Sequence, residues 1–495
     1  MGIKIANLSE ILNAVHPDTI LNPGELAIQS VACHPSTVKG PGCLFVCMDE
    51  YLEYNRWQTW RTHLEELPRS GVAAVVAPEP IQGLQVPQFI TAHPRRALGR
   101  LARFLNDFPD LYMQVFGVTG TNGKTTTSRM LAHMYSQLGQ PCGSIGTLGL
   151  KLDARLEIPG AYTTPLASEL YAELAQLREA GAAAVAMEVS SHGLALDRVE
   201  GMAFEAAILT NVERDHLDFH GTAEAYAEAK GRLFERVRQS GWCVLNHHSP
   251  EAPVYRKRAS GTVVTYGLAG SGADLELIRH ELQPTHSGFT LRFREEEWDF
   301  RMRLVGMFQI ENAMAAIALL AVKGWSGPEI ARALEDFPPV CGRMERFSLP
   351  NGGTAIVDYA HNPDGLKHLL ENCRLLCRGK LQVVFGCGGD RDKGKRPMMG
   401  RLARDLADIC WVTSDNPRTE DPEAIIIDIL AGMDGEGSGI HRIADRRAAI
   451  ESAFAETGPG DVLVVAGKGH EDYQIIGYTR HPFSDQGILR GLGAS

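Results

Sequence analysis

Gly117-Val118-Thr119-Gly120-Thr121-Asn122-Gly123-Lys124-Thr125-Thr126-Thr127 decides the fold. An apolar run, residues 111–118, precedes it and a stretch of helical spacing, residues 128–138, follows, so the glycines occupy a strand-to-helix turn. Glycines there let backbone N–H groups approach phosphate oxygens, Lys124 supplies charge to the β- and γ-phosphates, and the Thr125 hydroxyl can ligate Mg²⁺. The usual phosphate loop has glycine where Val118 stands; the pattern here is Gly120-x-x-Gly123-Lys124-Thr125.

On either side of this loop, short apolar runs alternate with helical stretches. Residues 183–187, 206–209 and 242–245 read as strands, and residues 168–180 and 222–238 as helices between them. Further on, residues 354–359, 381–385, 409–413 and 461–466 read as strands, each followed by Gly, Asp or Asn. Such alternation predicts an α/β fold with a mostly parallel sheet and ligands outside the carboxyl ends of its strands. Most polar motifs fall at those ends.

The chain has 495 residues, too many for one core, and about three domains are expected. Breaks at residues 104–110 and 337–343 divide it into 1–108, 109–340 and 341–495. Composition is that of a globular protein, 44% hydrophobic and 22% charged, with mean hydropathy -0.13. No apolar run of about 18 residues is present, so no membrane span is expected. The amino terminus lacks a charged region followed by an apolar stretch, and a cytoplasmic protein is expected. Ten cysteines without paired Cys-x-x-Cys or zinc spacing read as reduced packing residues. A net charge of -11 argues against nonspecific nucleic-acid binding, yet local Lys and Arg suffice to hold an anionic substrate.

The remaining motifs follow in order. They are Tyr162-Thr163-Thr164-Pro165, Met187-Glu188-Val189-Ser190-Ser191-His192-Gly193, Thr210-Asn211-Val212-Glu213-Arg214-Asp215-His216-Leu217-Asp218 and Gly342-Arg343-Met344-Glu345. Asp358-Tyr359-Ala360-His361-Asn362-Pro363, Asp415-Asn416-Pro417-Arg418 and Gly467-Lys468-Gly469-His470-Glu471 complete the set. With the Gly120-Thr-Asn-Gly-Lys-Thr loop, this succession resembles the Mur ligases, and among them those adding the third amino acid. The resemblance is strong over residues 112–480 and weaker before residue 104.

The resemblance implies three domains: a UDP-binding amino-terminal one, a central P-loop ATPase and a Rossmann-like carboxyl-terminal one. It implies that ATP phosphorylates the D-Glu carboxylate of UDP-N-acetylmuramoyl-L-Ala-D-Glu and that meso-diaminopimelate attacks the acyl phosphate, in peptidoglycan synthesis. A monomer is expected. The residues it marks for ATP are Gly120, Thr121, Asn122, Gly123, Lys124, Thr125, Thr126, Asn312, Arg343 and Asp358. For the nucleotide-sugar dipeptide they are Thr163, Thr164, Ser190 and Arg198. For diaminopimelate they are Arg391, Asp415, Asn416, Pro417, Arg418, Gly467 and Glu471. Lys124, His216 and Lys230 are marked as catalytic, and Thr125, Glu188, His216 and a carbamylated Lys230 as Mg²⁺ ligands.

Several of these residues read differently alone. Glu188 fits a helix cap or salt bridge as well as a metal ligand, His216 a hydrogen-bonded structural histidine, and Lys230 a solvated helix lysine. The Asp-Asn-Pro-Arg stretch fits a plain turn. A planar guanidinium, however, can take the extra carboxylate that distinguishes diaminopimelate from lysine through two parallel hydrogen bonds. Glu471 would then hold the distal ammonium. Departures from the family pattern also occur. Phe308-Gln309 replaces its Phe-Asn, Asn246-His247-His248 replaces an acidic pair, and Cys33-His34-Pro35-Ser36-Thr37 stands where Asp-Ser-Arg is usual. Three other readings are open: a related ligase adding another amino acid such as lysine, a scaffold with a decayed ATP site, and a P-loop GTPase or kinase.

Overall fold

The computed structural model describes residues 4–52, 56–63, 65–67, 70–433 and 439–495. Its centre is the strand Gln114–Thr119, which lies between Ala184–Glu188 and Phe204–Leu209, parallel to both. All but Gln114 of this strand is buried, as expected where helices cover both faces of a parallel sheet. The strand begins three residues later than its apolar run. Pro109 presets a helical turn and donates no ladder hydrogen bond, so Pro109–Leu111 forms a 3₁₀ turn, with Leu111 57% and Tyr112 63% exposed.

The central sheet has eleven strands. Its middle is parallel, and at one edge Leu275–Gln283, His286–Phe293 and Glu296–Met302 extend it as an antiparallel meander. Glu296–Met302 alternates exposed and buried residues, the mark of a sheet with one face in water. The helix Met307–Val322 is buried nearly all round and packs in the same core as this meander. The helical stretch predicted for residues 222–238 stops at Glu235. Val237 is buried in the strand Val237–Asn246, paired with Phe204, a β-branched residue taking the place that packing favours.

Two smaller sheets flank the central one. The amino-terminal sheet orders its strands as Thr19–Leu21, Gln88–Ile90, Ala74–Ala77, Cys43–Val46 and Ser30–Ala32, parallel but for the first pair. A separate antiparallel strand pair, Glu50–Leu52 with Arg56–Gln58, follows, and Tyr51 packs 4.6 Å from the Phe219 ring. The carboxyl-terminal sheet runs Glu345–Ser348, Thr354–Asp358, Val462–Ala466, Leu381–Phe385, Ile409–Val412 and Ile440–Arg442. Only its first pair is antiparallel. The architecture is thus α/β with mostly parallel sheets.

One face of the last sheet is fastened by a fully buried ion pair. Arg446 on the helix Arg446–Glu456 makes a bidentate pair with Asp485 at 2.9 and 2.8 Å and also donates to the Ala466 carbonyl at 2.9 Å. Removing one partner of such a pair leaves a buried charge uncompensated. Asp485→Ala is therefore expected to lower unfolding stability by about 3–5 kcal/mol. A denaturant midpoint unchanged from the parent would show that the pair contributes nothing.

Candidate active site

The phosphate loop is shaped by its neighbours. A Cβ on Gly120 (φ 150°) would lie 1.9 Å from the Thr210 hydroxyl, and one on Gly123 (φ 86°) 2.2 Å from Asn312 Oδ1, so glycine is required at both. The helix predicted from residue 128 begins at Lys124 instead, which brings its first backbone N–H groups into the loop. Lys124 Nζ folds back to donate to the Gly120 and Thr121 carbonyls, both at 2.8 Å. Burial pushes its pKa down.

Thr125 Oγ1 donates to Glu188 Oε2 at 3.0 Å and accepts from the Arg343 guanidinium at 3.1 Å. Glu188, buried at the end of its strand, also accepts from the Thr147 backbone and hydroxyl. Thr127 donates to Asn312 at 3.4 Å, and Asp358 accepts from the Met344 and Ala360 amides at 2.7 and 2.8 Å. Burial raises the Asp358 pKa, against the pull of Arg343. Apart from the buried Thr127 and Met344, these groups, with Thr121, Asn122 and Thr126, line a cavity of about 610 Å³ between the central and carboxyl-terminal sheets.

A second polar cluster gathers near the Gly120 carbonyl. Lys230 is 1% exposed; its Nζ donates to the Gly120 carbonyl at 2.8 Å and sits 4.2 Å over the Tyr226 ring. The solvated-lysine reading is therefore wrong. Tyr226, Lys230, Leu233 and Phe234 share the buried face of the helix Ala223–Glu235, a spacing that marks the lysine as inward-facing. Burial, reinforced by the charge of Lys124, pushes its pKa far down. His216 has a left-handed backbone (φ 53°), and burial takes its pKa to about 3, with Lys230 and Lys124 acting in the same direction.

Asp215, for which the sequence suggested no role, sits at the seam between the sheets. It accepts from the His216 amide at 2.9 Å and from Asn362 Nδ2 at 3.3 Å, and lies 3.7 Å from His361 Nε2. Asn362 also donates to Asn122 in the phosphate loop at 3.3 Å. An Arg214–Asp392 ion pair at 3.1 Å crosses the same seam.

For a divalent cation, Thr125 and Glu188 offer hard oxygen donors beside this cavity, which would suit Mg²⁺ with an anionic ligand and water completing its shell. Among the described residues, no group of three or more His, Cys, Asp and Glu forms a self-contained metal cluster. His216 lines the same cavity, while Lys230 sits at the Gly120 carbonyl, where a lysine can offer oxygen only after conversion to a carbamate.

The proposed dipeptide residues divide. The Thr163 hydroxyl, 3.0 Å from that of Thr147, opens on the large cavity. Thr164 is fully buried, donating to the Glu188 carbonyl at 3.0 Å and accepting from the Ser190 amide at 2.9 Å. Ser190 caps the helix Ser191–Ala195 through the Gly193 amide at 3.0 Å. Arg198 donates to the Thr164 carbonyl at 2.7 Å and lines a small cavity with Glu50, Tyr51 and Arg95.

At the carboxyl ends of the last sheet, the strands ending at Phe385, Val412 and Ala466 lead into Arg391, Asp415 to Arg418, and Gly467 to Glu471. Asn416 donates to Glu471 at 2.9 Å, and the Asp415 carboxylate accepts from the Asn416 amide at 2.6 Å and faces Gly467. The buried Lys468, to which the sequence gave no role, donates to Glu471 Oε2 at 2.8 Å and to Asn416 Oδ1 at 3.0 Å. Glu471 thus already carries one internal cation. Arg418 donates to the Gly389 carbonyl at 2.9 Å, while the Pro417 carbonyl presses on Gly389, where a Cβ would lie 1.9 Å away. Arg391 stands beside Arg418. Burial lowers its pKa and the Arg418 charge lowers it further.

The two pockets share a wall. Arg343, bonded to Thr125, lies 4.5 Å over the Tyr359 ring, which also faces His361 and His470 at 4.7 and 5.2 Å. Burial first, and then the charges of Glu471 and Asp415, raise the pKa of the Tyr359 phenol. From the amino-terminal side, the Tyr51 phenol hydrogen-bonds Asp218, and Arg391 lies next to that carboxylate.

The Mur ligase middle domain matches residues 118–320, and the Mur ligase, glutamate ligase domain matches residues 342–469. The UDP-N-acetylmuramoyl-L-alanyl-D-glutamate--2,6-diaminopimelate ligase of Gloeobacter violaceus is 44% identical over 419 residues, 84% of this chain and 85% of that protein. That of Geobacillus kaustophilus is 39% identical over 434 residues, 86% and 88% of the two chains. A solved structure of a ligase of the same name, 32% identical, aligns with 99% of each chain at a TM-score of 0.66. Fold, site and likenesses define an ATP-dependent ligase that forms amide bonds. The chain belongs to the Mur ligase family.

Proposed function

We propose that this chain joins meso-diaminopimelate to the D-Glu carboxylate of UDP-N-acetylmuramoyl-L-Ala-D-Glu in peptidoglycan synthesis. In the first step a carboxylate oxygen attacks the γ-phosphorus and ADP leaves. The diaminopimelate amine then attacks the acyl carbon, phosphate leaves, and the amine sheds a proton. The observation that carries this reading is the shared wall. Arg343 lies over the Tyr359 ring at the edge of the large cavity, and Tyr359 follows a strand of the sheet whose other strand ends lead to Arg391 and Arg418, so both substrates can meet one carbonyl.

In this reading residues 109–340 hold ATP, residues 341–495 hold the amine, and residues 1–108 hold the uridine end. Lys124 and Arg343 carry charge to the transferring phosphoryl group, where positioning and electrostatics supply most of the catalysis. Bound Mg²⁺ would neutralise phosphate oxygens, with Thr125 and Glu188 holding it and His216 and the Lys230 carbamate holding a second ion. The buried, readily deprotonated Lys230 amine suits carbamylation, because carbon dioxide adds only to the neutral form. No helix among the described residues is long and apolar enough to cross a membrane, and we place the reaction in the cytoplasm with its nucleotide substrates.

A ligation assay with the dipeptide nucleotide, ATP and each amine tests the reading. Product with diaminopimelate, accompanied by ADP and phosphate, supports it. Faster product with lysine would transfer the assignment to a lysine-adding ligase, and no product from folded protein would favour a scaffold. Depleting bicarbonate in the same assay is expected to reduce the rate. An unchanged rate, with no incorporation of labelled bicarbonate, would refute the carbamate.

A further inference from the structure

Two loops build the guanidinium-lined pocket, and each places a non-glycine residue in left-handed backbone. Asp390 has φ 54° and Arg418 φ 52°, conformations that persist only when surroundings enforce them. The enforcement comes from below. Arg396, on the helix Lys395–Leu406, is 1% exposed and makes a bidentate pair with Glu420, NH2 to Oε1 at 2.7 Å and NH1 to Oε2 at 3.0 Å. Glu420 Oε1 also accepts from the Asp390 amide at 2.6 Å. The same two nitrogens also donate to the Gly388 carbonyl at 3.4 Å and to Asp428 at 2.9 Å. Asp390 in turn holds Thr419, its carboxylate accepting from the Thr419 amide at 3.1 Å and hydroxyl at 2.9 Å. Arg418 closes the ring through the Gly389 carbonyl.

We propose that the Arg396–Glu420 pair is a positioning element for amine specificity, holding the Asp390 and Arg418 loops so that Arg391 and Arg418 present one carboxylate-sized seat. The inference rests on the reading that those two guanidiniums take the distal carboxylate of diaminopimelate. Stability alone does not call for the pair, since well-packed apolar residues commonly replace a buried ion pair without loss. What an apolar pair cannot do is accept the Asp390 amide and donate to the Gly388 carbonyl at once. Neither residue touches the seat itself, so both act through Asp390, Gly389 and Arg418. The hydrogen bonds from Arg396 hold the Glu420 carboxyl at about 2, so the tie is ionised throughout the physiological range.

The test is the ratio of kcat/KM for diaminopimelate to that for lysine in Glu420→Gln. Losing the carboxylate leaves Arg396 less compensated, and that electrostatic change alone would strengthen carboxylate binding. Positioning predicts the opposite sign. The ratio is expected to fall by at least about tenfold, a value typical of one lost charge-assisted hydrogen bond, with KM for ATP within about twofold of the parent. Thr419→Val, at a surface position that spares the core, removes the hydroxyl half of the other tie to Asp390 and is expected to lower the ratio severalfold. Asp428→Asn, which loosens Arg396 on its exposed side only, should leave the ratio unchanged. An unchanged or higher ratio in Glu420→Gln, or an equal fall in Asp428→Asn, overturns the proposal. Should Glu420→Gln not fold, an unchanged ratio in Thr419→Val does so. A parent enzyme without preference for diaminopimelate would instead remove the underlying reading.

Discussion

Lys124→Ala is expected to lower kcat by about a thousandfold or more, with KM for the amine little changed. Removing a single neutral oxyanion donor from an enzyme costs on the order of 10²–10³ in kcat, and Lys124 brings a cationic donor to the phosphate loop. Its Nζ is already held at 2.8 Å from two loop carbonyls, so little reorganisation is needed when the triphosphate enters. The variant also disturbs Lys230. Burial is the main cause of that lysine's lowered pKa and the Lys124 charge is the second, so alanine at 124 raises the proton affinity of Lys230 and disfavours its carbamate. The backbone need not change, because Lys230 still donates to the Gly120 carbonyl. Steady-state ADP release measures the effect. A variant retaining more than about a tenth of the parental kcat would show that other groups carry the transferring phosphoryl charge.

The parts of this site legible in the sequence are those whose meaning is local. The Gly120 to Thr125 loop declares itself because strand, turn and helix are contiguous, and the amine-pocket motifs because each follows an apolar run at the carboxyl end of a parallel strand. Thr164 and Ser190 were less legible. Their hydroxyls satisfy the Glu188 carbonyl and the Ser190 and Gly193 amides, partners fixed by tertiary packing rather than by spacing. The antiparallel meander at residues 275–302 and the strand pair at Tyr51 were missed for a related reason. Strand pairing and register depend on which distant edge is available. Lys468 stood inside a quoted motif, yet nothing local says that its ammonium is buried against Glu471 and Asn416. Asp215, Asn362 and Tyr359 likewise acquire importance only where two sheets meet.

That meeting gives the sharpest expectation for specificity. Arg418→Asn is expected to lower kcat/KM for diaminopimelate by about 10²–10³ while raising that for lysine severalfold. Asparagine is preferable to alanine here because it tolerates left-handed backbone, and the Arg418 amide and carbonyl bonds to Ile475 and Gly477 then survive. The fall follows from losing a bidentate, charge-assisted seat for the distal carboxylate. Sites that hydrogen-bond a substrate group reject analogues lacking it by as much as about 10⁴–10⁵; the neighbouring Arg391 limits the loss. The rise for lysine follows from repulsion. The Arg418 charge depresses the proton affinity of Arg391 more than the neighbouring Asp218 raises it, and lysine adds no carboxylate to offset the remainder. Removing one guanidinium removes that penalty. Competition between the two amines at fixed ATP measures both arms at once. A parallel fall for both would assign Arg418 to holding the Gly389 loop, and with it the chemical basis for choosing diaminopimelate would have to lie elsewhere.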